Sequence, residues 1–224
     1  AISFALCAGV LIADGKLVLG HAPDNWAEDV SIAICIAGMT GIGALSLALH
    51  QWRQAALHRQ EAITDLLTGL LNRRALFDLY GHRSFGPSMA VIIFDIDRFK
   101  TINDQHGHAA GDLVLKLFGQ ELSFGLRSSD TVARLGGEEF ALVLDNTLPG
   151  RAEQVAERVR DAFAARVISV EDKSFACTVS AGVATGTAEG LGFDDVLRAA
   201  DKALYEAKRN GRNRVEVAAY LRAV

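Results

Sequence analysis

The stretch Arg134-Leu135-Gly136-Gly137-Glu138-Glu139-Phe140 decides how the rest of this chain reads. Its two glycines lie between apolar runs, Thr131 to Leu135 and Phe140 to Leu144, that read as strands, so the pair reads as a hairpin turn. Glycine at such a turn also lets the backbone approach a ligand with no Cβ in the way. Glu138 and Glu139 follow at once. Adjacent strand residues point to opposite faces, so only one of them readily joins a neighbouring carboxylate around a shared ion.

Outward from the turn, Met89 to Ile96 reads as a buried strand that closes on Asp95-Ile96-Asp97. Carboxylates at the end of an apolar strand are costly unless they meet a cation or open into a site. Asp95 reads as a metal ligand. Asp97, two residues on and on the same side, reads either as a second ligand or as a cap for the next helix. Two strand ends that each present a carboxylate suit Mg²⁺ held jointly by protein and substrate phosphates. Metal-assisted phosphoryl transfer uses such an arrangement.

Asn72 to Tyr80, Ala109 to Leu126, Arg151 to Ala165 and Asp194 to Arg209 read as helices, and Phe175 to Ala184 and Arg214 to Val217 as further strands. Strands joined by both hairpins and helices imply an α+β domain, a mixed central sheet with helical cover.

The N-terminal region obeys a different rule. From Val30 to Trp52 there is no Asp, Glu, Lys or Arg, a run long enough to cross a membrane as a helix. Residues 1–52 therefore read as a membrane region: a partial apolar segment 1–13, an extracytoplasmic loop 14–29 and a transmembrane helix 30–52. The first residue is not Met, which reads as a fragment beginning inside an earlier membrane helix. Asp24, Glu28 and Asp29 precede the span, and Arg53, Arg59, Arg73 and Arg74 follow it, so the C-terminal part is expected in the cytoplasm.

Residues 53–64 read as a juxtamembrane helix. Leu49, Trp52, Ala56, Ile63 and Leu66 fit either a short parallel coiled coil or an amphipathic continuation of the membrane helix. Cys7, Cys35 and Cys177 have no spacing that suggests zinc or a disulfide framework. A formal charge of −4 argues against a general nucleic-acid-binding surface.

Four blocks carry a family resemblance: Asp65–Arg74 (DLLTGLLNRR), Phe94–Asp112 (FDIDRFKTINDQHGHAAGD), Arg134–Phe140 (RLGGEEF) and Ala200–Val215 (ADKALYEAKRNGRNRV). In order and spacing they resemble the GGDEF family of diguanylate cyclases, in its Glu variant, over about residues 62–218, with residues 65–218 as the catalytic domain. The resemblance implies a palm-like nucleotidyl-cyclase fold preceded by a transmembrane helix, in the bacterial inner membrane with the catalytic domain in the cytoplasm. It implies condensation of two GTP into cyclic di-GMP and two pyrophosphates by a homodimer, with Mg²⁺ as cofactor and Mn²⁺ as the alternative.

Carried over by position, Asp95, the Ile96 carbonyl and Glu138 would hold the metal. Glu139 would assist deprotonation of the attacking hydroxyl. Gly136, Gly137, Phe99, Lys100, Lys208 and Arg212 would serve the triphosphate, and Asn103 and Asp112 would read the guanine edge. Arg127 and Asp130 resemble the Arg-x-x-Asp site at which cyclic di-GMP inhibits. His106 and His108 read as structural. Without the resemblance, Lys208 and Arg212 would pass as cations complementing a helix end. A silent nucleotide-binding module and a different nucleotidyltransferase are the competing classes.

Overall fold

The computed structural model describes residues 26–61, 63–148, 150–170, 173–186 and 190–218. The apolar segment 1–13 and most of the loop expected over 14–29 lie outside the described residues. The chain divides into two compact units, residues 1–58 and 59–224.

In the first unit the described element is α1 (Trp26–Glu61), which runs on three residues past the division. Its stretch Ile32–Arg53 has 22 residues and a mean hydropathy of 2.1. At about 1.5 Å per residue that is long enough for a hydrocarbon core of about 30 Å. Ile34, Ile42 and Leu45 on it are exposed.

The juxtamembrane helix expected over residues 53–64 ends at Glu61. Asp65 offers the chain a better local arrangement: its carboxylate accepts the N–H and O–H of Thr68 at 2.9 and 2.7 Å, and its carbonyl accepts from Gly69 at 2.8 Å. Side chains that bond nearby backbone compete with helix in this way. Ile63 and Leu66 therefore belong to the turn, and the apolar seam loses those two positions.

The second unit is built on a six-stranded sheet in the order β1-β4-β5-β3-β8-β10. Its strands are β1 (Leu71–Asn72), β3 (Ala90–Ile96), β4 (Thr131–Gly136), β5 (Glu139–Leu144), β8 (Val179–Thr185) and β10 (Val215–Val217). The edge pairs β1–β4 and β8–β10 are parallel, and the inner pairs β4–β5, β5–β3 and β3–β8 are antiparallel. Short pairs β2 (Ser84–Phe85) with β9 (Leu191–Gly192), and β6 (Ile168–Val170) with β7 (Lys173–Phe175), stand outside it. The mixed sheet with helical cover is the expected α+β fold.

Every residue of β3 is buried, and the strand's period of two divides them between two cores. Ile92, Phe94 and Ile96 face α3 (Phe99–His106), α4 (His108–Ser123) and α5 (Arg151–Ala164), where Phe118 meets Phe94, Phe140 and Phe163 at 4.8–5.7 Å between ring centres. Each such ring contributes roughly 1.5–3 kcal/mol by leaving water. Val91 and Ile93 face α2 (Arg73–Tyr80) and α6 (Phe193–Arg209). Asp95, next in that alternation, points to the α6 side.

The strand expected over Phe175 to Ala184 divides into β7 and β8. The break leaves the Thr178 carbonyl to accept from the Asp97 N–H at 2.9 Å and the Thr178 hydroxyl to donate to the Asp97 carboxylate at 2.6 Å. The helix expected to reach Leu126 stops at Ser123, because Phe124 is extended.

Candidate active site

β4 and β5 meet at Gly137-Glu138, with a bulge between Arg134 and Gly136. Gly137 has φ +50°, a left-handed conformation that glycine adopts without strain. Register sets Glu139 directly across from Asp95, so those two side chains leave the sheet on the same face. Glu138 lies on the turn, where its carbonyl accepts from the Ile96 N–H at 3.3 Å. Thus the backbone of the turn is sewn to the strand end that carries Asp95.

Asp95 is 4% exposed. Burial pushes its carboxyl up to about 6; Lys208 opposes the rise, and the charges of Glu138 and Glu139 add to it. Lys208, in the last turn of α6, places Nζ 2.7 Å from Asp95 Oδ2. A buried carboxylate that feels two neighbouring acids is a place where a hard cation would be welcome. Among the described residues no group of three His, Cys, Asp or Glu side chains stands ready to hold an ion unaided.

Beyond Asp97 the chain turns sharply. Arg98 has φ +56°, and this left-handed residue starts α3 beside the Asp95 strand end. Phe99 is buried, so its side chain serves the core while its main chain lies at the helix N-terminus; Lys100 is exposed. Asn103 on α3 faces Gly111 of α4, the residue before the exposed Asp112. A Cβ on Gly111 would collide with Asn103 Oδ1 and come within 3.1 Å of Phe99. Arg212 is exposed and left-handed at φ +62°.

Asp97 is neither a helix cap nor open to the acidic cluster as a second ligand. It is 6% exposed, and its oxygens accept from Ser180 Oγ at 2.7 Å, Thr178 Oγ1 at 2.6 Å and the Asn213 N–H at 3.0 Å. The cap position of α3 is taken by Arg98, with no side-chain bond.

Arg134 is a contact that sequence reading missed. Its Nη1 reaches both oxygens of Asp65, and its Nε and Nη2 hold the Gly137 carbonyl at 3.1 and 2.7 Å. Burial raises the Asp65 carboxyl, but bonds from Thr68 and Arg134 outweigh it and leave it below the ordinary value. The residues on both sides of this link were quoted in the motif blocks, yet nothing in their spacing joins them.

Arg127 and Asp130 stand apart from this cluster, near the Leu144 end of β5, whereas Glu139 begins that strand. They line a cavity of about 250 Å³ together with Thr147, Arg151 and Arg158. Asp130 Oδ2 accepts from the Arg127 N–H at 3.0 Å, which shapes the turn. Arg151 and Arg158 add cations that the four-residue pattern could not disclose. His106 stacks on Phe175 with ring centres 4.2 Å apart, in keeping with a structural role.

A mixed sheet with helical cover that gathers Asp95, Glu138, Glu139 and Lys208 at one end defines the class, an α+β domain with a charged cluster at the end of β3 and β5. The chain belongs to the GGDEF family of diguanylate cyclases: residues 62–214 match the family model "Diguanylate cyclase, GGDEF domain". Diguanylate cyclase DgcP of Pseudomonas aeruginosa is 44% identical over 166 residues, which cover 71% of this chain and 24% of that protein. Diguanylate cyclase A of Treponema denticola is 40% identical over 160 residues, covering 68% and 43% respectively. The chain thus spans less than half the length of either relative.

Among solved structures, the coiled coil and GGDEF domain of DgcB from Caulobacter crescentus, in complex with c-di-GMP, superposes with a TM-score of 0.71 at 28% identity, covering 80% of this chain and 98% of that one. The active GGEEF domain of a diguanylate cyclase from Vibrio cholerae gives 0.55 at 37% identity, covering 59% and 84%.

Proposed function

We propose that this chain is a Mg²⁺-dependent, membrane-anchored diguanylate cyclase that works as a homodimer. The observation that carries the reading is the meeting of Asp95, Glu138, Glu139 and Lys208 at one end of β3 and β5.

In this reading one GTP lies across the Gly136-Gly137 turn of each subunit. Asp112 and Asn103 accept and donate at the guanine edge. An acid accepting from the guanine N1–H and N2–H₂ disfavours adenine, which lacks that donor pair. Lys208, Lys100 and Arg212 take the phosphate charge, Lys as a point charge and Arg as a fork. Asp95, the Ile96 carbonyl and Glu138 hold Mg²⁺, which when bound stabilises charge on the α-phosphate and on the departing pyrophosphate.

Glu139 assists removal of the 3′-hydroxyl proton. The 3′-oxygen of one GTP forms a bond to the α-phosphorus of the other as the bond to pyrophosphate breaks. Repetition in the opposite sense closes the ring, giving one cyclic di-GMP and two pyrophosphates. Each α-phosphorus is attacked by the nucleotide of the other subunit, so a single domain is half a site. Anchoring through α1 would hold two copies in one plane and raise their mutual concentration.

The cavity at Arg127 and Asp130 is read as the inhibitory site. Arg127, with Arg151 and Arg158, would take the phosphates of cyclic di-GMP, and Asp130 the base edge. The ligand in the DgcB complex supports a product-binding role for this family.

Incubation of the protein with Mg²⁺ and GTP, followed by chromatography of the nucleotides, tests the reading. Cyclic di-GMP is expected with GTP and not with ATP. GTP binding without any cyclic dinucleotide would favour a silent binding module instead.

A further inference from the structure

We propose that Asp97 is a positioning residue for the nucleotide phosphates, acting through the main-chain N–H of Asn213 to fix the direction of Arg212. The inference rests on the GTP site proposed above.

Asp97 is a buried carboxylate that makes no ion pair with Lys or Arg among the described residues. A buried charge without a counter-ion is costly and is sustained by hydrogen bonds to its oxygens. Two donors, Ser180 Oγ and Thr178 Oγ1, belong to or adjoin β8 and satisfy the group locally. The third is different. It comes from Asn213, 116 positions along the chain, in the turn between α6 and β10.

That turn holds two consecutive non-glycine residues in the left-handed region, Arg212 at φ +62° and Asn213 at φ +47°. Asn adopts this region readily but Arg does not, so at Arg212 the surroundings must impose it. Each tether that does so is visible. Asp97 Oδ2 takes the Asn213 N–H at 3.0 Å, Arg160 Nη1 on α5 donates to Asn213 Oδ1 at 2.9 Å, and the Arg214 carbonyl accepts from Ala181 at 2.9 Å. The Arg212 N–H closes back on the Ala207 carbonyl at 3.0 Å.

Arg212 itself is exposed and forms no ion pair among the described residues. Its backbone is thus clamped on both sides while its guanidinium is left open. Lys208, four residues earlier, already reaches Asp95. Asp97 therefore links the strand that carries the metal-ligand carboxylate to the turn that carries the free phosphate-binding cation. Fixing the Arg212 backbone removes part of the freedom that binding a phosphate would otherwise cost, so the clamp acts on affinity.

The test is a double-mutant cycle on the full chain, read by the affinity of an α,β-methylene GTP analogue and by KM and kcat for GTP. Asp97→Asn should weaken the analogue and raise KM about tenfold, with kcat changed less than about twofold, as expected from loss of one charge-assisted contact. In an Arg212→Ala background the same change should add nothing. Thr178→Val removes a donor to the same Asp97 oxygen that takes the Asn213 N–H and should raise KM in the same direction with kcat kept; it decides the matter if Asp97→Asn does not fold. Losses that add in the Arg212→Ala background, or that fall on kcat alone, would overturn the inference. Wild-type protein that fails to bind the analogue would overturn the GTP site itself, and the clamp with it.

Discussion

Arg134 spans the gap between Asp65 and the glycine turn. One nitrogen sits 3.0 and 3.1 Å from the two carboxylate oxygens, and the other two hold the Gly137 carbonyl. The turn that carries the acids is thus not supported by its own hairpin alone. It is braced from the segment that directly follows α1 in the chain. Arg134→Ala should cost about 1 kcal/mol of stability, because it removes the partner of a partly buried carboxylate and of the Gly137 carbonyl together. Asp65→Asn should cost less, since the Gly137 contact survives. Urea midpoints measure both, and equal midpoints for Arg134→Ala and wild type would refute the brace.

The two perturbed carboxylates give opposite pH dependences. Asp65 lies below its ordinary value of 3.8, so its contribution to stability is full above 3.8 and is lost as pH falls through the lower, folded-state value. Asp95 is raised to about 6, so the stability linked to it is full below 3.8 and is lost as pH rises towards and through about 6. In metal-free protein, Asp95→Asn should therefore gain melting temperature relative to wild type between pH 4 and pH 7. Mg²⁺ with a GTP analogue should restore the wild type more at pH 7 than at pH 5. A constant difference across that range would contradict the assignment.

Gly111→Ala tests the base-reading corner. The new methyl would occupy the place of Asn103 Oδ1 and press on Phe99, so Asn103 must move. KM for GTP should rise about tenfold, with little change in melting temperature if α3 gives way. Unchanged KM would mean that Asn103 does not touch the base.

At the Arg127 cavity, Arg127→Ala and Arg158→Ala should each weaken inhibition by added cyclic di-GMP by tenfold or more, on the order of one charge-assisted phosphate contact. Activity without added product should be kept. Inhibition at wild-type concentrations in both variants would remove the cavity from the account.

The fold was legible wherever a period was strong. Met89 to Ile96 alternates between two cores, and α6 repeats its apolar side at helical spacing, so both were placed within a residue or so. The candidate site was legible only as a set of motif residues, of which the structure brings Asp95, Glu138, Glu139 and Lys208 together. What could not be read was connection. The Asp97 carboxylate is filled by residues more than 80 positions away, and Arg134 bonds across 69. Such partners are set by strand register and turn conformation, not by local pattern. The end of α1 at Glu61 and the break before β8 likewise depend on polar side chains, Asp65 and Thr178, that outcompete the regular element.

The central claim is that the carboxylates at the ends of β3 and β5 join two GTP molecules. The measurement that tests it most directly is the nucleotide balance after incubating dimeric protein with Mg²⁺ and GTP, beside the Glu139→Gln variant. The account predicts one cyclic di-GMP and two pyrophosphates for every two GTP consumed, with product lost in the variant while GTP binding is retained. Pyrophosphate release without cyclic di-GMP, or equal product from Glu139→Gln, would contradict it.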